Sequence, residues 1–284
     1  MRETVSSVPV AAPGRPWALW VRQALAIVRL ELRKAFLGRR VIGLLVLALM
    51  PVFILTVRAL IPESVDDPAN LGHATQEFSW IFQGFILRIV VFLGCVSIFG
   101  NLIRKEVLER SLHYYFLSPV RRELLVVAKY LTGLVVALVL FEGATLASFL
   151  LSYAPHTGVE AFLLRGPGLG HLASYMLITA LGCAGYGAVF LAFGFFFRSP
   201  AIPALAVFGW EGIHFLLPPL LKKVSVIHYL QSLSPVPIEE GPLAILADAP
   251  SPWIAVPGVL VVSAVLLALA ALKIRTMEVK YEDE

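Results

Sequence analysis

Six long apolar runs, each bounded by charge, proline or glycine, constrain this chain of 284 residues more than any other feature. A helix needs roughly 20 apolar residues to cross the hydrocarbon core of a bilayer. Composition agrees, because 58% of the residues are hydrophobic and only 15% are charged, far from the composition of a soluble domain. The sequence predicts an all-α integral membrane protein with six transmembrane helices in one domain, 41–273. The spans are 41–61, 80–103, 124–153, 171–197, 200–221 and 253–272.

The basic residues predict the orientation of these spans. With the N-terminus in the cytoplasm, 18 Lys and Arg residues lie on the cytoplasmic side and 3 on the other side. Positive charge accumulates on the cytoplasmic side of membrane proteins. We therefore expect a multi-pass protein of the cell inner (plasma) membrane, with a flexible tail at 1–15 and a second cytoplasmic tail at 274–284. Because these charges sit beside the apolar runs, they indicate topology and not nucleic-acid binding.

Residues 16–40 have the pattern of an amphipathic helix. Apolar residues recur at helical spacing from Trp17 to Phe36, while Arg22, Arg29 and Arg33 lie largely off that stripe. This pattern predicts an interfacial helix along the cytoplasmic leaflet. A signal peptide is the competing interpretation, but the scattered charges and the lack of a small-residue cleavage site count against it.

The loop 104–123 also reads as a short amphipathic helix. Its apolar side chains fall on one side of the helix, and Glu106, Glu109, Arg110 and His113 fall on the other. Ser118 and Pro119 then supply an N-cap and a first helical residue for the helix that enters the third span. Such a loop is suited to contact a partner, although a solvated connector would show the same periodicity.

The stretch RKEVLERSLHYYFLSPVRRELLVVAKYL, residues 104–131, resembles the loop after the second span in the type-2 permease family of ABC transporters. Members of that family carry an acidic and basic helix, then a Leu-Ser-Pro-Val segment with Arg, Glu and Leu, and a lysine that enters the third span. This chain has Glu106 to Arg110 in the first part, Leu117 to Leu124 in the second, and Lys129 as the lysine. It departs from many members at His113-Tyr114-Tyr115, where they have a small residue followed by Thr-Leu.

The resemblance implies the function, the partners and the docking residues. In the family this loop is a coupling helix that docks on a cytoplasmic ATPase, and the N-terminal helix lines the same surface. The candidate docking residues are Glu106, Glu109, Arg110, His113, Tyr114 and Arg33. A second permease copy or a sister permease is expected beside the ATPase and the membrane lipids. The implied cargo of an exporter or flippase of this composition is hydrophobic, lipid-linked or drug-like.

The chain itself contains no G-x-x-x-x-G-K-[ST] phosphate loop. ATP and Mg are therefore expected on the partner ATPase, and we predict no cofactor, metal or catalytic residue on this chain. Cys95 and Cys183 lie inside apolar runs and predict neither a disulfide framework nor a metal site. Alanines at every fourth position from Ala180 to Ala192 permit close helix packing, either within the chain or at a dimer seam.

Three charged residues lie deep inside predicted spans. Arg88, Glu142 and Glu211 are roughly 12–18 Å from the ends of their helices at 1.5 Å per residue. An uncompensated charge at that depth is costly. They therefore predict an ion pair that holds the bundle together or a polar path, and Glu211, between Gly209 and Gly212, is the residue we assign to the path.

The segment 222–252 is apolar although it faces outside in this topology. Apolar residues in such number should be buried, which predicts a segment that re-enters the membrane before the last span. A plain external loop is the alternative.

Two other functions are open on the sequence alone. Glu211 and His214 have the i, i+3 spacing of a metal site, which would fit an intramembrane enzyme. A membrane anchor that holds an ATPase without transporting anything is the second alternative.

Overall fold

The computed structural model describes residues 16–38, 40–61, 70–102, 121–197, 199–213, 218, 225–238 and 250–276. All regular structure in these ranges is helical, which confirms the all-α prediction for this part of the chain. The helices are α1 (Pro16–Leu37), α2 (Arg40–Leu60), α3 (Leu71–Phe99), α4 (Arg122–Tyr153), α5 (Val159–Leu164), α6 (Gly168–Phe193), α7 (Ala201–Gly212), α8 (Val226–Gln231) and α9 (Pro252–Thr276).

Five of these helices are long and apolar enough to cross a membrane, namely α2, α3, α4, α6 and α9. This makes the chain a multi-pass membrane protein, as the composition predicts. Helix α4 packs against α1, α2, α6 and α9, and α6 also packs against α3 and α9. Helices α4 and α6 therefore form the centre of the bundle.

The predicted fifth span, 200–221, differs from the other five. Helix α7 has 12 residues, which cover about 18 Å of a hydrocarbon core about 30 Å thick. Its end lies among Gly209, Gly212 and Pro218, residues that weaken or stop a helix. Residues 214–217 and 219–224 lie outside the described residues. Within the described residues, no single helix forms this crossing.

Helix α3 begins nine residues before the predicted start at Trp80. The side chain of Asn70 caps it by accepting a hydrogen bond from the backbone N–H of His73 at 3.0 Å. The first turns contain polar residues and so escape a search for apolar runs, yet Ala74 and Phe78 are fully buried. The middle of α3, Phe82–Val91, is a π-helix, a form that is rare and often found at functional sites.

Aromatic rings fill the core on two levels. One cluster joins α3, α4 and α6 through Phe78, Phe82, Phe149, Tyr153 and Tyr175. The other joins α3, α6 and α7 through Phe92, Tyr186, Phe190 and Phe208. In this cluster the ring of Phe208 in α7 lies 5.4 Å from that of Phe92 in α3.

Glycines let the helices of the core approach closely. A Cβ built on Gly133 of α4 would lie 2.6 Å from the ring of Phe99, and one on Gly187 of α6 would lie 2.6 Å from the same ring. Phe99 of α3 thus fills the space between two glycines. Ala188 and Ala192 of the alanine stripe are buried in the same region, so these positions are used for packing within the chain.

The starts of α1 and α4 and the end of α9 meet at one end of the bundle, here called the basic end. Arg122 of α4 donates a hydrogen bond to the backbone oxygen of Arg275 in α9 at 3.2 Å, and Arg275 pairs with Glu123. The opposite end carries the ion pair of Arg58 in α2 with Glu77 in α3.

Candidate functional site

The carboxylate of Glu211, at the end of α7, binds the start of α8. Its Oε2 accepts hydrogen bonds from Ser225 Oγ at 2.5 Å and from the N–H of Ile227 at 3.2 Å. Its Oε1 accepts a bond from the N–H of Val226 at 3.0 Å. The first N–H groups of a helix have no partner within that helix. Glu211 supplies these partners from a distant helix and is itself only 6% exposed.

Helix α8 lies inside the bundle between α6 and α9. Val226, Ile227 and Leu230 are buried. A Cβ on Gly185 of α6 would lie 3.0 Å from Val226, and one on Gly182 would lie 3.5 Å from Leu230. Since these glycines lie in the middle third of α6, α8 is at the level of the middle of the long helices and runs antiparallel to α6. Helix α8 begins at the level where α7 ends, because Glu211 of α7 binds residues 225–227.

A second polar cluster holds the chain that follows α8. Gln83, in the π-helix of α3, donates to Ser234 Oγ at 2.9 Å and to the backbone oxygen of Val236 at 3.1 Å. Ser79, one turn earlier, donates to the same oxygen of Val236 at 2.7 Å. The segment 225–238 is therefore fixed at both ends, by Glu211 at its start and by α3 at its end.

Arg88 lies in the same π-helix, five residues after Gln83, and is partly buried. It is close enough to Glu211 and to Tyr186 of α6 for a charge interaction with each. A direct ion pair between Arg88 and a glutamate remains a prediction.

Glu142 occupies a different environment on α4. Its Oε2 atom is buried and accepts no hydrogen bond from the described residues. The neighbouring Gly143 is exposed, and a Cβ added to it would have nothing within 4 Å. Glu142 therefore lies at the edge of the bundle, whereas Glu211 lies inside it.

At the basic end, α1 is held against the start of α4. The guanidinium of Arg121 stacks over the ring of Trp20, 4.1 Å from its centre. Two turns deeper, Glu31 Oε1 lies 3.9 Å from Nζ of Lys129, whose side chain has no exposed surface. Glu31 also accepts a hydrogen bond from Lys34 at 3.2 Å.

The predicted apolar stripe of α1 is only partly buried. Its residues Trp17, Val21 and Leu25 are exposed. The side of α1 that packs on α4 therefore includes Glu31 and only part of that stripe.

Sequence reasoning names Lys129 as part of the loop motif but not its partner. The sequence does indicate this pairing, because Glu31 is the single acid in a helix with four basic residues and Lys129 is a cation in an apolar run. Buried charges are paired as a rule, and this rule makes Glu31 a candidate partner of Lys129. Gln83 was also missed, because a single amide in an apolar span gives no indication of its partner.

The predicted docking residues Glu106, Glu109, Arg110, His113 and Tyr114 lie outside the described residues. Arg33 is exposed on α1. Among the described residues, no group of three or more His, Cys, Asp or Glu side chains is arranged to hold a metal ion. His214, the other half of the predicted Glu211 spacing, also lies outside the described residues.

No family model matches the chain, and no curated protein matches it at a significant level.

Proposed function

We propose that the chain is the permease subunit of an ATP-driven transporter of the type-2 ABC class. It spans the plasma membrane with both termini in the cytoplasm and works with a separate ATPase and a second permease copy or a sister permease. Its cargo is a hydrophobic, lipid-linked or drug-like molecule that is exported or moved between leaflets. The spans contain few charged residues, and the carboxylate of Glu211, the most buried acid of the described residues, is bound by the start of α8. This fits an apolar cargo better than an ionic one.

The observation that carries this proposal is the contact between Lys129 and Glu31. Lys129 belongs to the loop motif that resembles the family, and Glu31 belongs to the amphipathic helix that the family uses beside that loop. The contact brings α1 to the start of α4, directly after the loop 104–120. Because the loop leads directly into α4, we expect the loop and α1 to meet a partner together at the basic end.

The position of α8 supports the same proposal. A short helix held between α6 and α9, before the last span, fits the re-entrant segment that the resemblance implies. Glu211 and Gln83 fix this segment at two points, so a movement of α7 or α3 would be transmitted to it.

The experiment is a charge reversal at the proposed docking helix. The chain is co-expressed with its partner ATPase, and ATP turnover in proteoliposomes is measured for wild type, Glu109→Arg and Glu160→Arg. Glu160 is exposed on α5 at the opposite end of the bundle and provides a matched control. We expect Glu109→Arg to weaken assembly or turnover at least tenfold, because charge complementarity at a docking face contributes several kcal/mol, and Glu160→Arg to behave as wild type.

Equal assembly and turnover in both variants would reduce the loop to a connector and contradict the proposal. Turnover that no hydrophobic cargo stimulates would favour the membrane anchor. Hydrolysis of a lipid or peptide by the chain without an ATPase would favour the enzyme.

The orientation is tested separately with cysteines introduced in a Cys95→Ala, Cys183→Ala background. An impermeant thiol reagent applied to intact cells should label Asp66→Cys and leave Ser111→Cys and Asp283→Cys unlabelled. Labelling at position 111 from outside would overturn the topology and the docking proposal with it.

A further inference from the structure

Three arginines form a strip on the side of α1 that faces away from the bundle. Arg22, Arg29 and Arg33 are spaced i, i+7 and i+11, so they share one side of the helix, and all three are exposed. The side that faces α4 is marked by Ile27 and Glu31, which are buried. At 100° per residue, the side chain of Arg29 is rotated by about 200° around the helix axis from that of Ile27, so the two lie on opposite sides of α1. The contact of Glu31 with Lys129 therefore fixes the arginines outward.

Exposed apolar side chains flank this strip on both sides. Leu25 and Phe36 lie on one side of it and Leu19 and Leu30 on the other, and each of the four is exposed. The outward face contains no acid, because Glu31 is the only acidic residue of α1 and it points to Lys129. Arg121 and Lys273 add two exposed cations at the same end of the bundle.

The chain geometry keeps this face at the membrane surface. Helix α1 ends at Leu37 and α2, which is long and apolar enough to cross the bilayer, begins at Arg40. The connection can span only about 10 Å even when fully extended. The end of α1 is therefore held at the level where α2 enters the bilayer.

We propose that this outward face of α1 is a binding site for anionic phospholipid headgroups. The guanidinium groups donate hydrogen bonds to phosphate oxygens, a contact to which their planar fork is suited. Arg29 and Arg33, at i and i+4, are about 5–6 Å apart at their Cβ atoms and can reach one headgroup together. The flanking leucines and Phe36 enter the acyl region beside it.

A lipid surface fits this face better than a protein groove. A helix that docks in a groove presents an apolar stripe with polar residues at its edges, whereas here the arginines run along the middle and the apolar side chains lie on both sides. A bilayer interface accepts both kinds of side chain over the whole length of the helix. This inference does not depend on the proposed transport function, because it concerns the chain by itself.

The test measures which lipid lies next to α1. Phe36→Trp places a single tryptophan beside Arg29 and Arg33 when Trp17, Trp20, Trp80, Trp210 and Trp253 are changed to Phe, and the chain is placed in phosphatidylcholine vesicles. Quenching of this tryptophan is compared between brominated phosphatidylglycerol and brominated phosphatidylcholine, which carry the same acyl chains. We expect stronger quenching by phosphatidylglycerol, and a loss of that preference in high salt because surface charge is screened.

Two neighbouring residues give a matched pair of variants. Arg33→Gln removes a charge from the outward strip, whereas Lys34→Gln removes one from the side of Glu31, and Gln preserves the helix in both. We expect Arg33→Gln to lower the preference for phosphatidylglycerol by up to about fivefold, the ratio that corresponds to one basic residue near an anionic surface. Lys34→Gln should change it much less, and Arg22→Gln/Arg29→Gln/Arg33→Gln should abolish it.

Three outcomes would overturn the proposal. Equal quenching by the two lipids in the wild type would show that no anionic site exists. A retained preference in the triple variant, or an equal effect of Arg33→Gln and Lys34→Gln, would show that the strip does not hold the lipid. Loss of ATPase assembly in the triple variant with an unchanged lipid preference would assign the face to a protein partner.

Discussion

Glu31 of α1 and Lys129 of α4 form a contact of 3.9 Å between a carboxylate oxygen and an ammonium nitrogen that has no exposed surface. A lysine that is fully buried in a membrane-spanning helix needs a counter-charge, because an isolated charge there is costly. The acid comes from α1, which precedes the first helix that is long and apolar enough to cross the membrane. The contact thus couples the position of α1 to the third long helix of the bundle.

Breaking this pair from one side should destabilise the protein. In Glu31→Gln, Lys129 loses a negative partner, and we expect a loss of about 1–3 kcal/mol because a buried group is left poorly satisfied. Thermal unfolding in detergent micelles measures this change. In Glu31→Gln/Lys129→Met, both charges are removed together and much of the stability should return.

Lys34→Met is the control for that series. It removes the exposed partner of Glu31, and surface pairs contribute at most about 1 kcal/mol. A loss in Lys34→Met as large as in Glu31→Gln would show that Lys129 does not depend on Glu31.

The two glycines of α4 should respond differently to the same added methyl group. Gly133→Ala places a Cβ 2.6 Å from the ring of Phe99, whereas Gly143→Ala places one with nothing within 4 Å. We expect Gly133→Ala to cost about 1–3 kcal/mol through overpacking and Gly143→Ala to be neutral or slightly stabilising through helix propensity.

The change Phe99→Leu provides a check on that mechanism. Combined with Gly133→Ala, it should restore part of the stability, since the smaller side chain relieves the clash and the two sites are in contact. Additive losses in the double variant would rule out a clash with Phe99.

His156 should make the stability depend on pH. This histidine follows α4 outside the spans, and burial lowers the pKa of its side chain below the usual value of about 6.5, with a further decrease from the charge of Arg58. Its Nδ1 is buried and has no hydrogen-bond partner among the described residues. Above pH 6.5 the imidazole is neutral in both the folded and the unfolded chain, so His156 does not change the free energy of unfolding there.

Below that pH the unfolded chain takes up a proton more readily than the folded chain, so the free energy of unfolding should fall as the pH falls towards the lowered pKa. Thermal unfolding between pH 8 and pH 5 measures this decrease, which should be smaller in His156→Gln. An unchanged pH profile in His156→Gln would show that another group titrates.

The long spans could be predicted from the sequence because hydrocarbon thickness sets their length. Apolar run length found α2, α4, α6 and α9 to within a few residues, since charge or proline ends each run close to where the helix ends. It failed at the start of α3, where the polar residues His73, Thr75 and Glu77 lie in a helix that Asn70 caps. The length and periodicity of apolar runs show which residues can face lipid or a core. They do not show which residue caps a helix or which partner a buried polar side chain binds.

The same limit explains the fifth predicted span. Residues 200–221 are apolar except for Glu211 and His214, yet the helix ends at Gly212, and Ser225 binds Glu211. Depth predicts that Arg88 and Glu211 lie near one another, but it could not show that the carboxylate of Glu211 would accept hydrogen bonds from the hydroxyl of Ser225 and from two backbone N–H groups that follow 15 and 16 residues later.

Removing the carboxylate of Glu211 should release the start of α8. In Glu211→Gln only one oxygen remains as an acceptor, and the new amide nitrogen faces N–H donors that it cannot satisfy. Each hydrogen bond to a charged group contributes about 1.5–3 kcal/mol. We therefore expect amide hydrogen exchange at Val226 and Ile227 to become roughly 10- to 100-fold faster, with the exchange of α4 and α6 unchanged.

Glu142→Gln is the matched control for this variant. It makes the same chemical change in a carboxylate that accepts no bond at Oε2 from the described residues and lies on another helix. Exchange at Val226 and Ile227 should keep the wild-type rate in Glu142→Gln, and Ser225→Ala, which removes one of the three donors, should give an intermediate rate. Equal exchange rates in Glu211→Gln and wild type would show that α8 is held by its buried side chains alone, and Glu211 would then no longer be a candidate for the link between α7 and the segment before the last span.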